Sequence, residues 1–204
     1  MSRSHTADAT ESPRRARGER TRRRLLDAGK LVFAERGYYA ARVDDVVKEA
    51  DTSHGTFYLY FSNKEELFGA LVGEVAEQMC ELAGDLPELR GDDARSQLRA
   101  WLARFADLHG EYGSVIRAWS DAEIAGGDLG TLGNETLSAF THRIEARIAT
   151  TAPPQIDPAA AALAVIAMVE RSLFYVASDQ TGVPLATMLD TLAALIIAGT
   201  NGAE

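Results

Sequence analysis

The chain has 204 residues, 46% apolar and 25% charged, enough for one ordinary domain or for a small domain joined to a larger one, and too well balanced for general disorder. The net charge of −9 argues against nucleic acid only if it is evenly spread, and it is not: 13 Lys/Arg stand against 9 Asp/Glu through Lys64 (net +4), and 8 against 21 beyond it (net −13). The single cysteine, Cys80, allows no internal disulfide or metal cluster, and the aliphatic stretches at 159–169 and 185–199 read as too short or too interrupted for a bilayer. With no apolar segment behind the N-terminal arginines, a cytoplasmic protein without membrane attachment is expected.

Residues 1–18 are polar and arginine-rich, without periodicity, and are expected to form a disordered basic arm. Domains are expected over 19–64 and 65–204. From Glu19 the pattern is helical: Leu25, Ala28, Gly29, Val32 and Phe33 recur at three- and four-residue spacing, and Gly37 supplies a stop. Val43, Val46, Val47 and Ala50 form the buried face of a short second helix. Asp51-Thr52-Ser53 breaks that pattern, and Ser53 is a good N-cap for a third helix over 54–61. The run Ser62-Asn63-Lys64-Glu65 has capping-box spacing and opens a long fourth helix with an apolar stripe from Leu67 to Leu82. Further helices are expected at about 93–110, 112–125, 130–151, 157–179 and 184–199, giving an all-α chain of about nine helices. Pro158 and Pro184 sit where a first turn tolerates them.

Two short helices joined by a tight turn behind a longer one make a helix-turn-helix, whose second member enters the major groove. Phe57 and Phe61, four apart, anchor that helix and leave His54, Gly55, Thr56, Tyr58 and Tyr60 towards solvent or DNA. Gly55 permits close approach, Thr56 and Tyr58 reach phosphates, and His54 and Tyr60 reach base edges or the backbone wall. Lys64 adds a positive charge at the start of the fourth helix.

The stretch "RVDDVVKEADTSHGTFYLYFSNKEEL", from Arg42 to Leu67, resembles the signature of TetR-family repressors, and the resemblance extends back to about residue 19. It implies a homodimer of two-domain helical subunits that represses transcription from an inverted-repeat, double-stranded operator until a small molecule binds the C-terminal domain. Carried over position by position, the implied DNA contacts are Arg42, Val43, Ser53, His54, Gly55, Thr56, Tyr58, Tyr60 and Lys64. Two positions depart from the family pattern: Asp51 stands where glycine is common, and Arg42 where threonine is.

The last two helices are apolar on more than one face, as helices buried on two sides are. In the family they form a four-helix dimer interface, which here would use Leu163, Met168, Leu185, Leu189, Leu192 and Ile196. Met79, Trp101, Phe105, Trp119, Glu123, Phe140, Met168 and Arg171 are the candidate pocket lining, with a lipophilic effector favoured by the apolar bias. His5, His54, His109 and His142 lack metal-ligand spacing, and no nucleophile elbow, phosphate loop or carboxylate pair is present, so no catalytic residue, metal or cofactor is expected. The rival reading is a helical small-molecule-binding protein without DNA-binding activity; sequence-specific, salt-sensitive duplex binding separates the two.

Overall fold

The computed structural model describes residues 13–125, 128–178 and 182–201. Eight helices and no strand occur among them: α1 (Pro13–Ala40), α2 (Val43–Glu49), α3 (His54–Tyr58), α4 (Lys64–Gly84), α5 (Ala94–Ala125), α6 (Asp128–Ala149), α7 (Pro158–Ala177) and α8 (Leu185–Asn201). The chain divides into two compact units between Ala70 and Leu71, inside α4.

In the N-terminal unit α1 starts at Pro13, so residues 13–18, expected in the arm, are helical; the rest of the arm lies outside the described residues. Proline suits a first helical turn, where its missing N–H has no intrahelical partner. At Gly37 the backbone leaves the helix (φ +73°), and only glycine adopts this at no steric cost. Leu25, Leu26, Val32 and Phe33 of α1 are buried with Val46 and Val47 of α2. Phe33 meets Phe68 edge-on, with ring centroids 5.0 Å apart.

α3 is five residues long rather than eight, because Leu59 and Tyr60 form a turn that closes on the Phe57 carbonyl. The cap of α4 is also displaced by one residue. Asn63 Oδ1, not Ser62, accepts from the Glu66 backbone N–H at 2.7 Å, and the Glu66 carboxylate accepts from the Ser62 backbone N–H at 2.6 Å. That bond holds the Glu66 carboxyl below the usual carboxylate range.

In the C-terminal unit α5 packs against α6, α7 and α8, and α7 packs on α6 and α8. The break expected near residue 111 is absent: α5 runs unbroken for 32 residues, which makes eight described helices rather than nine. Leu108, Tyr112, Val115 and Trp119 keep one buried stripe across Gly110, and that packing outweighs the roughly 1 kcal/mol a mid-helix glycine costs. Asp157 caps α7 by accepting from Ala160 N–H at 2.8 Å.

The expectation that no segment could cross a bilayer needs amending. α7 is long and apolar enough by length and composition, yet only 17% of its apolar window is buried within the chain.

Candidate nucleic-acid interface and ligand cavity

The turn between α2 and α3 is set by backbone conformation and one arginine. Asp51 has φ +46°, the one non-glycine residue at positive φ among the described residues. Aspartate tolerates this left-handed state better than most side chains but less well than glycine. Arg24 reaches across from α1 and donates to the carbonyls of Ala50 and Asp51, the latter at 3.0 Å, tying off the end of α2. Asp51→Val is expected to destabilise the protein by about 1–2 kcal/mol, because a β-branched side chain suits this conformation worst, while Asp51→Gly stays within about 0.5 kcal/mol. Urea midpoints of the two variants, at unchanged slope, check this; equal midpoints would contradict it.

Ser53 then opens α3, its Oγ accepting from the Thr56 backbone N–H at 3.1 Å and lying 3.0 Å from Thr56 Oγ1. Both hydroxyls are therefore already used in the cap. Phe57 and Phe61 are buried, with ring centroids 5.9 Å apart, and seat the helix. His54 and Gly55 are exposed, and Tyr58 is 57% exposed. His54 Nε2 lies 3.3 Å from Asp44 Oδ1 on α2.

Arg42 is exposed at the N-terminus of α2. Its backbone N–H donates to Asp45 Oδ2 at 3.1 Å, but its guanidinium has no acceptor to offer the helix end. Val43 is half-buried beside it. Two of the named side chains are turned elsewhere. Lys64 Nζ donates to the carbonyls of Tyr38 (2.9 Å) and Tyr39 (3.5 Å) and sits 4.6 Å from the Tyr38 ring centroid, capping the end of α1. Tyr60 is half-buried, its hydroxyl beside Gly18 of α1, where an added Cβ would stand 3.6 Å from it. Sequence reasoning missed Arg24 as the turn's clamp. It also missed Arg22, whose guanidinium lies 5.6 Å from the Phe61 ring centroid. The signal was there: arginines recurring through 14–24 at helical spacing.

The C-terminal unit holds a cavity of about 190 Å³ among α4, α5, α6 and α7. Of the expected lining, Met79, Phe105 and Phe140 are present. Trp101 is buried instead against α4, its indole N–H donating to the Leu82 carbonyl at 2.7 Å. Trp119 and Met168 are not in the lining, and the exposed Arg171 packs over Phe174 and Tyr175, its guanidinium 5.2 and 6.0 Å from their centroids. The Glu123 side chain lies outside the described residues. Leu108, His109, Ile166 and Glu170 line the cavity without having been singled out. A histidine and a glutamate read as solvated positions until packing buries the first and brings the half-buried second to the cavity wall.

His109 is 7% exposed. Burial pushes its pKa below the ordinary imidazole value, Glu170 partly opposes this, and Arg117 adds to it. The stability this group contributes is fully present above the unfolded value near 6.5 and is lost as pH falls below that towards the folded value. Urea midpoints taken from pH 8 to pH 5 should fall more steeply for the parent protein than for His109→Gln; parallel curves would contradict the assignment.

The expected dimer residues divide by face. Leu163 is 58% exposed and Leu185 is exposed, but Leu189, Leu192 and Ile196 are buried inside the protomer. They face inward because α8 turns that side to α5. The outward apolar row is Ala160, Leu163, Ala164 and Ala167 on α7 with Leu185 and Leu195 on α8.

A solvent-facing helix seated by two phenylalanines behind a clamped left-handed turn defines a helix-turn-helix DNA-binding module. Residues 25–71 match the family of bacterial regulatory proteins described as tetR. The HTH-type transcriptional regulator YdgC of Bacillus subtilis is 35% identical over 72 residues, 35% of this chain and 37% of that protein. The HTH-type transcriptional regulator EthR of Mycobacterium tuberculosis is 29% identical over 212 residues, 97% of this chain and 98% of that protein. The chain thus spans little more than a third of the first relative and nearly all of the second. The solved structure of FadR from Bacillus subtilis in complex with stearoyl-CoA superposes with a TM-score of 0.62 at 20% identity, covering 87% of this chain and 98% of that one. Residues 25–71 thus form a DNA-binding domain of the tetR type.

Proposed function

We propose that the protein is a homodimeric repressor that holds an inverted-repeat operator and releases it when a small lipophilic molecule enters the cavity of the C-terminal unit. It is read as a cytoplasmic binding protein rather than an enzyme. The observation that carries the reading is α3: one face is locked by Phe57 and Phe61, and the other presents His54, Gly55 and Tyr58 to solvent beside Arg42. Arg42 and Tyr58 are the phosphate contacts, and His54 reads base edges. Lys64 acts first by fixing the end of α1 against the start of α4.

The outward apolar row on α7 and α8 supports dimerisation, since a helix this apolar and this exposed in one chain finds its cover in another. α4 supports a coupling route. One helix carries Lys64 in its first turn and Met79 fifteen residues on, about 22 Å along a helix axis. A ligand that favours one position of α4 then weakens DNA binding, and by linkage DNA weakens ligand binding by the same factor.

Selection of bound duplexes from random DNA, followed by titration across salt, tests the proposal. An inverted repeat is expected, with affinity that falls steeply as salt rises. Arg42→Ala should lower the salt slope by about 1 per protomer across all sequences, and His54→Ala should change which sequences are preferred. Absence of salt-sensitive duplex binding would favour a small-molecule-binding protein without a DNA role.

A further inference from the structure

Among the described residues the cavity lining is apolar except for two groups, His109 on α5 and Glu170 on α7. Among the described residues the buried His109 ring makes no hydrogen bond to a protein group, so a polar side chain is aimed into the cavity with its hydrogen-bonding capacity unused. Its ring lies over Gly113, where an added Cβ would stand 3.5 Å from Cε1 and 3.6 Å from Nδ1. Glu170 brings a carboxylate to the same space. Its pairing with the exposed Arg171 is long, at 3.9 Å, and Arg171 itself packs over aromatic rings outside the lining. Among the described lining residues Glu170 is thus the charged group that an occupant of the cavity meets.

An imidazole held neutral by burial offers a lone pair as well as an N–H, and a carboxylate only accepts. Both groups suit an occupant that donates. A carboxylate, by contrast, would be desolvated beside Glu170 with like charge facing like. The volume is also below the roughly 300 Å³ at which pockets for drug-sized ligands begin.

Resting on the reading of this cavity as the effector site, we propose that its ligand is a small lipophilic molecule with a hydrogen-bond-donating end, a primary ammonium in preference to a carboxylate. Glu170 and His109 are the residues that select it.

The test is calorimetric titration of hexylamine, hexanol and hexanoate into the full chain at pH 7. Hexylamine is expected to bind about tenfold or more tighter than hexanoate, the difference one charge-assisted hydrogen bond makes, with hexanol between them. Glu170→Gln should bring the amine-to-carboxylate ratio close to one and leave hexanol nearly unchanged. Ile166→Phe, which fills the cavity, should remove binding of all three. Hexanoate binding as tightly as hexylamine, a ratio unmoved by Glu170→Gln, or no binding of any probe would overturn the proposal. Release of duplex DNA is a separate readout. A protein that selects hexylamine yet keeps its DNA would contradict the effector role while upholding the selectivity.

Discussion

Leu195→Arg is expected to convert the protein to a monomer and to cost at least about 100-fold in affinity for an inverted-repeat duplex. Leu195 is 55% exposed on the single chain and lies on the outward row of α8. In a two-fold interface each substitution is present twice, so two guanidinium groups would have to be desolvated against an apolar partner face. The monomer keeps its helix-turn-helix but loses the second half-site, whose linkage multiplies affinity by about 10²–10⁴. Leu163→Arg on α7 should act in the same way. Leu192→Arg is the informative contrast: at 1% exposure it faces the protomer's own core, so it should unfold the C-terminal unit rather than separate two folded copies. Sedimentation velocity with circular dichroism distinguishes the cases. A folded Leu195→Arg dimer would move the interface to another face.

Phe57→Ala is expected to abolish operator binding by releasing α3. Phe57 is fully buried, and a five-residue helix has too few hydrogen bonds of its own to persist without that anchor. Truncation of a buried phenylalanine costs about 3–5 kcal/mol, a large share of the stability of any small module. The effect should stay local: the variant should sediment as a dimer and retain hexylamine binding. Tyr58→Phe, which removes an exposed hydroxyl, should lower affinity only modestly and leave stability unchanged. Retention of full duplex affinity by Phe57→Ala would mean that α3 does not recognise DNA.

The helix-turn-helix was legible because its rules are local. Ser53 caps the helix that follows it, Phe57 and Phe61 share one side of a single turn, and Asp51 occupies a left-handed position marked by the break in pattern. The last cap shows the limit of such reading. Ser62-to-Glu65 and Asn63-to-Glu66 have the same spacing and chemistry, and the register of α4, set where its Phe68 packs on Phe33 of α1, chooses between them. The C-terminal unit was legible only as class. Along α8, Leu185, Leu189, Leu192, Leu195 and Ile196 are alike in type, and packing on α5 alone separates inward from outward. His109 and Glu170 were missed for a related reason: they lie on different helices, far apart in sequence, and a cavity is a property of four helices together.

Footprinting of the selected duplex tests the central claim most directly. Two protected major-groove segments are expected on one face of the helix, related by two-fold symmetry and separated by about 34–36 Å or a multiple of it, with two protomers bound. A single unrepeated segment protected by one protomer, or protection indifferent to sequence, would contradict it.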